Sequence, residues 1–279
     1  MTTPLVSVSN LTYLYEDGTL ALENISFEIS KGERVGLIGE NGSGKTTLCK
    51  HLNGILKPSQ GRVLIEGKDI AKMNIAEIVG KVGLLFQNPD NQLFCSTVTE
   101  EMSFGLRNLG LNEDEIAARS QRYARLLGID GLADRSPLML SLGLRRLVTI
   151  ASVLAMEQDL VLLDEPTAWL DRFQSRTATD AIKGFASSGR TIVVVSHNMK
   201  LIADLTERAI VLSHGRKIAD GSTREILSNK ELLLNAGLFP TPISELASDL
   251  SIAGQEHIIT EDDLIRALCD GREGDAVRR

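Results

Sequence analysis

The run Gly39-Glu40-Asn41-Gly42-Ser43-Gly44-Lys45-Thr46 constrains this chain more than any other feature. It fits GxxxxGK(S/T), follows the apolar stretch Val35-Gly36-Leu37-Ile38, and leads into Thr46-Thr47-Leu48-Cys49-Lys50-His51-Leu52 at helical spacing. A buried strand, a glycine-rich loop and a helix in that order open an α/β unit built on a parallel sheet. Glycines let backbone N–H groups curl around phosphate oxygens, and the helix start turns its positive dipole end toward them. In that setting Lys45 reaches the β- and γ-phosphates of a nucleotide and the Thr46 hydroxyl ligates Mg2+. At an average glycine usage of about 7%, the four fixed positions arise by chance in about one chain in a hundred of this length. The strand before and the helix after decide for phosphate binding.

A second feature supplies the chemistry. Leu160-Val161-Leu162-Leu163-Asp164-Glu165 is an apolar strand that ends in two carboxylates. Beside a phosphate loop, Asp164 is expected to hold Mg2+ through water. Glu165 is expected to orient an attacking water as general base. Loop and acids together predict an enzyme that hydrolyses ATP with Mg2+.

The rest of the chain arranges itself around these two. Val6, Val8, Leu11, Tyr13 and Tyr15 precede Asp17-Gly18, and Leu20, Leu22, Ile25, Phe27 and Ile29 follow it. Such period-two runs around Asp-Gly read as antiparallel strands joined by a tight turn. Val82–Phe86, Ile192–Val195 and Ala209–Leu212 are further buried-strand candidates. Helical periodicity fills about 88–159, with Glu113–Leu127 and Arg145–Ala155 the clearest segments. Gly237-Leu238-Phe239-Pro240-Thr241-Pro242 breaks the pattern. Beyond it come amphipathic segments at Ile243–Leu250 and Thr260–Leu268 and a charged, frayed end. The expected fold is α/β: a P-loop NTPase core with an antiparallel β subdomain, an inserted helical subdomain and a small C-terminal extension. Residues 1–230 form the ATP-binding domain and residues 231–279 the extension.

Composition narrows the setting. Hydrophobic residues make up 43% and charged residues 24%, enough apolar mass for an ordinary core. A net charge of −7 argues against a nucleic-acid partner, which calls for a basic stripe. Cys49, Cys95 and Cys269 lack the short spacing of a zinc or disulfide framework and read as free thiols in a reducing compartment. The N-terminus has no signal-peptide pattern, and no apolar run approaches the roughly 20 residues that span a bilayer. The expectation is a cytoplasmic protein that forms no channel of its own.

Taken together, these residues resemble the ATPase subunits of ATP-binding-cassette transporters, and the match runs through nearly the whole chain. The resemblance implies that residues Gly39 to Thr46, with Thr47, bind ATP, and that Tyr15 stacks on adenine. It makes Gln87 the Q-loop glutamine that contacts metal and nucleophilic water, His197 the switch histidine on the γ-phosphate, and Asp171 the D-loop aspartate. His51, His214 and His257 match no motif and are expected to be structural. The wording Phe86-Gln87-Asn88-Pro89-Asp90-Asn91-Gln92-Leu93-Phe94 and the tail resemble the energy-coupling-factor branch, which imports vitamins and transition-metal ions such as cobalt. Membrane and substrate-binding subunits are then its partners, on the cytoplasmic face of the membrane, and the extension helps two ATPases pair.

The chain departs from the family at its signature. Where LSGGQ is expected it reads Leu140-Ser141-Leu142-Gly143-Leu144. In the family this segment binds the γ-phosphate held by the opposite subunit, through a hydroxyl, backbone N–H groups and a helix N-terminus. Leu142 adds bulk and Leu144 removes a polar contact, so both are expected to impair the partner's site. Trp169 stands where glycine or serine is expected. The chain's own half-site is complete and the half it offers across is altered, which favours a heterodimer over a homodimer. Three other readings are a soluble cassette ATPase of translation or repair, a regulatory nucleotide-binding subunit, and a small-molecule kinase. The last leaves Gln87, Ser141 and His197 without a task.

Overall fold

The computed structural model describes residues 3–252 and 258–276. Strands β1 (Val6–Leu14) and β2 (Leu20–Ile29) form the expected hairpin, with Val6 opposite Ile29 and Leu14 opposite Leu20. Two strands absent from the sequence reading, β4 (Gln60–Ile65) and β5 (Lys68–Asp69), complete an antiparallel sheet of order β2-β1-β4-β5. The first half of β4, Gln60-Gly61-Arg62, offers no apolar alternation to find it by.

The second sheet joins β3 (Arg34–Ile38), β6 (Val82–Leu85), β7 (Leu160–Asp164), β8 (Thr191–Val195), β9 (Arg208–Ser213) and β10 (Arg216–Ser222). Its order is β10-β9-β3-β8-β7-β6, parallel throughout except for the β9–β10 hairpin. Both faces are covered, as a parallel sheet requires. On β7, Leu160 and Leu162 enter a core shared with the antiparallel sheet and helix α1 (Lys45–Leu52), while Val161 and Leu163 enter the core under the other helices. Val193 and Val195 of β8 split from Ile192 and Val194 in the same way.

After the short α2 (Ile75–Val79), the helical layer consists of α3 (Val98–Asn108), α4 (Glu113–Leu126) and α5 (Leu142–Ala155), which pack on one another. Capping boxes at Thr97 with Glu100 and at Asn112 with Glu115 start the first two of this layer. Helix α5 begins three residues before the expected Arg145, because Ser141 caps it. Then follow α6 (Arg172–Ser187), α7 (Met199–Leu205), α8 (Thr223–Ser228) and α9 (Lys230–Asn235). The two C-terminal segments are helices α10 (Pro242–Asp249) and α11 (Glu261–Ala276). Helix α11 runs on past Leu268 to Ala276, where a frayed end was expected; residues 277–279 lie outside the described residues. Leu233, Ala236, Leu238 and Ile259 belong to the same core cluster as the parallel sheet, so the extension docks on the cassette and, among the described residues, builds no core of its own. Among the described residues no helix is long and apolar enough to cross a membrane.

Strand β1 carries a bulge at Asn10, where φ is +50° and the register shifts against both of its neighbours. Opposite it Gly61 has φ +80°, and a Cβ there would lie 2.3 Å from the carbonyl oxygen of Asn10 and 2.4 Å from that of Ser9. Both atoms are backbone, so relief requires the strands to part. Gly61→Ala is therefore expected to destabilise the protein by about 2–3 kcal/mol, lowering Tm by several degrees in a thermal melt. An unchanged melt would mean that the bulge absorbs the methyl group.

Candidate nucleotide site

The loop between β3 and α1 turns through Gly39, Gly42 and Gly44 at φ +154°, +81° and +100°. Residues with a Cβ rarely adopt these angles, and at Gly44 one would also come within 2.7 Å of the Ala21 carbonyl oxygen. The Lys45 ammonium folds back over the loop. Its Nζ donates to the carbonyl oxygens of Gly39 (2.9 Å) and Glu40 (2.7 Å). Burial pushes the Lys45 pKa down, while the charges of Glu165 and Asp164 oppose the shift. A desolvated ammonium whose hydrogen bonds go to neutral oxygens suits an incoming phosphate.

Thr46 Oγ1 donates to Asp164 Oδ2 at 2.9 Å, which ties the start of α1 to the end of β7. Asp164 is 4% exposed, and burial raises its pKa against the hydrogen bond from Thr46. A hydroxyl and a carboxylate oxygen side by side are hard donors. They fit Mg2+, which takes one or two protein carboxylates and keeps its other positions for water and phosphate.

Parallel register carries the arrangement further. Asp164 pairs with Val195, so the residues that follow β7 and β8 emerge side by side. The Glu165 N–H donates to the Val195 carbonyl oxygen at 2.8 Å. Glu165 Oε2 accepts from Ser196 Oγ (2.8 Å); Oε1 accepts from the His197 N–H (2.9 Å) and lies 2.6 Å from His197 Nδ1. The backbone of Glu165 sits at φ +47°, a left-handed conformation that costs a non-glycine residue about 1–2 kcal/mol. Strain of this kind persists where the surroundings aim a side chain.

A cleft of about 350 Å³ brings together Tyr15, Asn41, Gly42, Gly44, Lys45, Thr46, Thr47, Gln87, Asp164 and Glu165. Gly39, Glu40, Asn41 and His197 line an adjoining cleft of about 440 Å³ bounded by residues 237–242, and Ser43 is buried within the loop. Larger openings of about 530 and 560 Å³ lie on the helical layer, away from the acidic pair. Tyr15 donates to or accepts from Thr47 Oγ1 at 2.9 Å, and its ring meets Tyr13 edge-on at 5.0 Å. Tyr13 in turn meets buried His51 at 4.6 Å. This backing for Tyr15 was not read from the sequence. His51 is packed as expected, with Nδ1 2.8 Å from the Thr47 carbonyl oxygen. His214 is not: its side chain is 87% exposed, with Nε2 3.4 Å from Glu40 Oε1. His257 lies outside the described residues.

The altered signature stands apart from this cleft. Ser141 caps α5, accepting from the Leu144 N–H at 3.4 Å. Asp171 caps α6 through a capping box with Gln174. The two caps meet, since Gly143 is buried against Gln174 and the Trp169 carbonyl oxygen. Leu142 is 44% exposed, and Trp169 is 59% exposed at φ +69°. Leu144 corrects the expectation that both leucines look outward: it is half-buried and packs against the main core. Its replacement of glutamine spends an apolar side chain on packing.

Arg146 is the residue that sequence reasoning missed. It is 0% exposed, and its guanidinium donates to the carbonyl oxygens of Phe86, Asp164 (2.5 Å), Glu165 (2.6 Å) and Pro166 (3.2 Å). Burial pushes its pKa down to about 10. A second arginine beside it, Arg145, drew no attention to either, and an acceptor set made only of backbone leaves no mark in a sequence.

The chain resembles known proteins over most of its length. The family model described as ABC transporter matches residues 22–168 of the 279. An energy-coupling factor transporter ATP-binding protein of Methanothermobacter thermautotrophicus is 41% identical over 254 residues, covering 90% of this chain and 82% of that one. A putative ABC transporter ATP-binding protein of Methanosarcina acetivorans is 40% identical over 96% of this chain, which spans only 44% of that longer relative. Among solved structures, cbiO1 from Clostridium perfringens, part of the ABC transporter complex cbiONQ, superposes with a TM-score of 0.74 at 35% identity. It covers 90% of this chain and 100% of that one. With its phosphate loop, acidic pair and relatives in accord, the chain belongs to the ATP-binding-cassette transporter family, as an ATPase subunit of the energy-coupling-factor kind.

Proposed function

We propose that this chain binds Mg-ATP in the cleft between Tyr15 and Glu165 and hydrolyses it to power a membrane importer of the energy-coupling-factor type, for vitamins or transition-metal ions. The observation that carries this reading is the convergence of Lys45, Thr46, Gln87, Asp164 and Glu165 on one cleft from three separate strand ends. Lys45 and the loop N–H groups hold the β- and γ-phosphates, and Tyr15 offers its ring to adenine. Thr46 and Asp164 hold Mg2+, which offsets the phosphate charge when bound. Glu165, released from Ser196 or His197, takes the proton of the attacking water, while Gln87 and His197 orient that water and the γ-phosphate.

The site is half of what the reaction needs. Ser141 and Asp171 form one exposed edge, backed by the buried Gly143, that does not line the chain's own cleft, and this supports a second cassette placed across it. Leu142, standing in the open at that edge, would crowd the nucleotide of the partner, so a heterodimer with a chain of complete signature is favoured. The extension 231–279 is assigned to the pairing of the two cassettes. Peripheral attachment to membrane subunits on the cytoplasmic face completes the proposed assembly.

Glu165→Gln is expected to keep Mg-ATP affinity while slowing hydrolysis roughly 10²–10⁴-fold, whereas Lys45→Ala weakens binding itself. Single-turnover assays in the assembled transporter separate the two, and a parent-like rate in Glu165→Gln would remove Glu165 from the reaction. Tyr15→Ala is expected to weaken ATP binding by about 1–3 kcal/mol, which titration calorimetry reads directly as a raised Kd. For the signature, Leu142→Gly in the isolated chain should raise its ATPase rate at saturating ATP; full activity in the unaltered isolated chain would show Leu142 to be harmless. Leu144 is left alone in that test because it packs on the core.

A further inference from the structure

Arg146 lies in the second turn of α5, the helix capped by Ser141, and its side chain leaves the helical layer altogether. The neighbouring arginine does not. Arg145 donates to the carbonyl oxygens of Leu138 (2.5 Å) and Leu140 (2.9 Å) and to Asp90 Oδ1 (2.8 Å), which keeps it near the helix start. Arg146 reaches the segments that carry the hydrolytic residues. Its Nη2 donates to the carbonyl oxygens of Asp164 and Glu165, which belong to the two peptide groups flanking the Glu165 Cα. Its Nε donates to Pro166 and its Nη1 to Phe86, whose carbonyl belongs to the peptide that carries the Gln87 nitrogen.

The choice of an arginine here needs a reason. Burying a guanidinium is expensive, and a well-packed apolar side chain of similar volume often stabilises a core as well or better. No carboxylate oxygen takes its fork; every hydrogen bond goes to a carbonyl. What the carbonyls have in common is position. Two of them fix the peptide planes on either side of a residue held at φ +47°, and a third fixes the entry to the Q-loop. The planar fork can hold several such acceptors at once, which a lysine ammonium on a flexible stem cannot do. Its charge also acts on both acids of the pair.

We propose that Arg146 is a positioning residue for hydrolysis: it ties the backbone at Glu165 and at Gln87 to the helix that presents Ser141. This rests on the hydrolytic reading above. A shift of the signature helix on engaging a second nucleotide would then be felt at Glu165 and Gln87 in the same chain, with no contact between the two clefts.

The test uses Arg146→Gln and Arg146→Lys in the full chain assembled with its partners. Equilibrium binding of a non-hydrolysable ATP analogue with Mg2+, and kcat and KM for ATP per folded site, are measured for each. Because Arg146 touches no nucleotide-binding atom, Arg146→Gln should leave analogue affinity and KM near those of the unaltered chain. Its kcat should fall about 100-fold, the scale of an approximately 1 Å misplacement. Arg146→Lys, which keeps the charge and loses the fork, should recover part of that loss. An Arg146→Gln chain with unaltered kcat per folded site would overturn the proposal, as would a fall in kcat matched by an equal loss of analogue affinity. If Arg146→Gln does not fold, a folded Arg146→Lys chain with the kcat of the unaltered protein overturns it equally. Absence of turnover in the unaltered assembly would instead overturn the hydrolytic reading, which the first measurement of the series decides.

Discussion

Two carboxylates at the end of a strand buried on both faces set the terms for the rest of this structure. Asp164 and Glu165 are 4% and 7% exposed, and burial together with the charge of Glu165 raises the cost of charging Asp164. Uncompensated, such a pair would protonate or unfold its strand. The surrounding elements each deliver a compensating group: α1 brings Lys45 and Thr46, the end of β8 brings Ser196 and the His197 N–H, and α5 brings Arg146. The parallel order β3-β8-β7 makes this possible, because strands running the same way end at the same edge. Ligands gather at that edge in open α/β sheets for the same geometric reason.

Much of this was legible from residue order. The glycine-rich loop, the apolar run into Asp164-Glu165 and the period-two hairpin each encode their structure locally, and strand and helix fell within a few residues of expectation. What escaped was either non-periodic or non-local. Strand β10 has its two apolar residues, Ile218 and Ala219, adjacent and not alternating, and is held by pairing to β9, so hydrophobic pattern has nothing to report. Arg146 looks like one more surface arginine until two segments from different parts of the chain close around it. Leu144 read as a lost polar contact because only the fold shows which side of α5 meets the core. Tyr15 was identified by place, whereas the Tyr13 and His51 rings that brace it had no signature.

The same division separates the two half-sites. The cleft that holds Lys45 is built from strand ends and the loop and helix start that follow them. The edge that carries Ser141 and Asp171 is built from helix caps, whose few hydrogen bonds leave Leu142 and Trp169 standing in solvent. A partner meets the chain at helix ends that meet each other at Gly143, Gln174 and the Trp169 carbonyl.

The docked extension has a thermodynamic consequence of its own. Leu233 and Leu238, 0% and 5% exposed in the main core, would have to enter water for the C-terminal segment to leave the cassette. At about 1.5–3 kcal/mol for each side chain, these two alone hold the released form below roughly one molecule in a hundred to one in ten thousand. Residues 237–242, which border the phosphate loop, are held down by the same leucines. The tail therefore behaves less as a tether than as a latch, whose opening is a thermally rare event rather than a standing property of the chain.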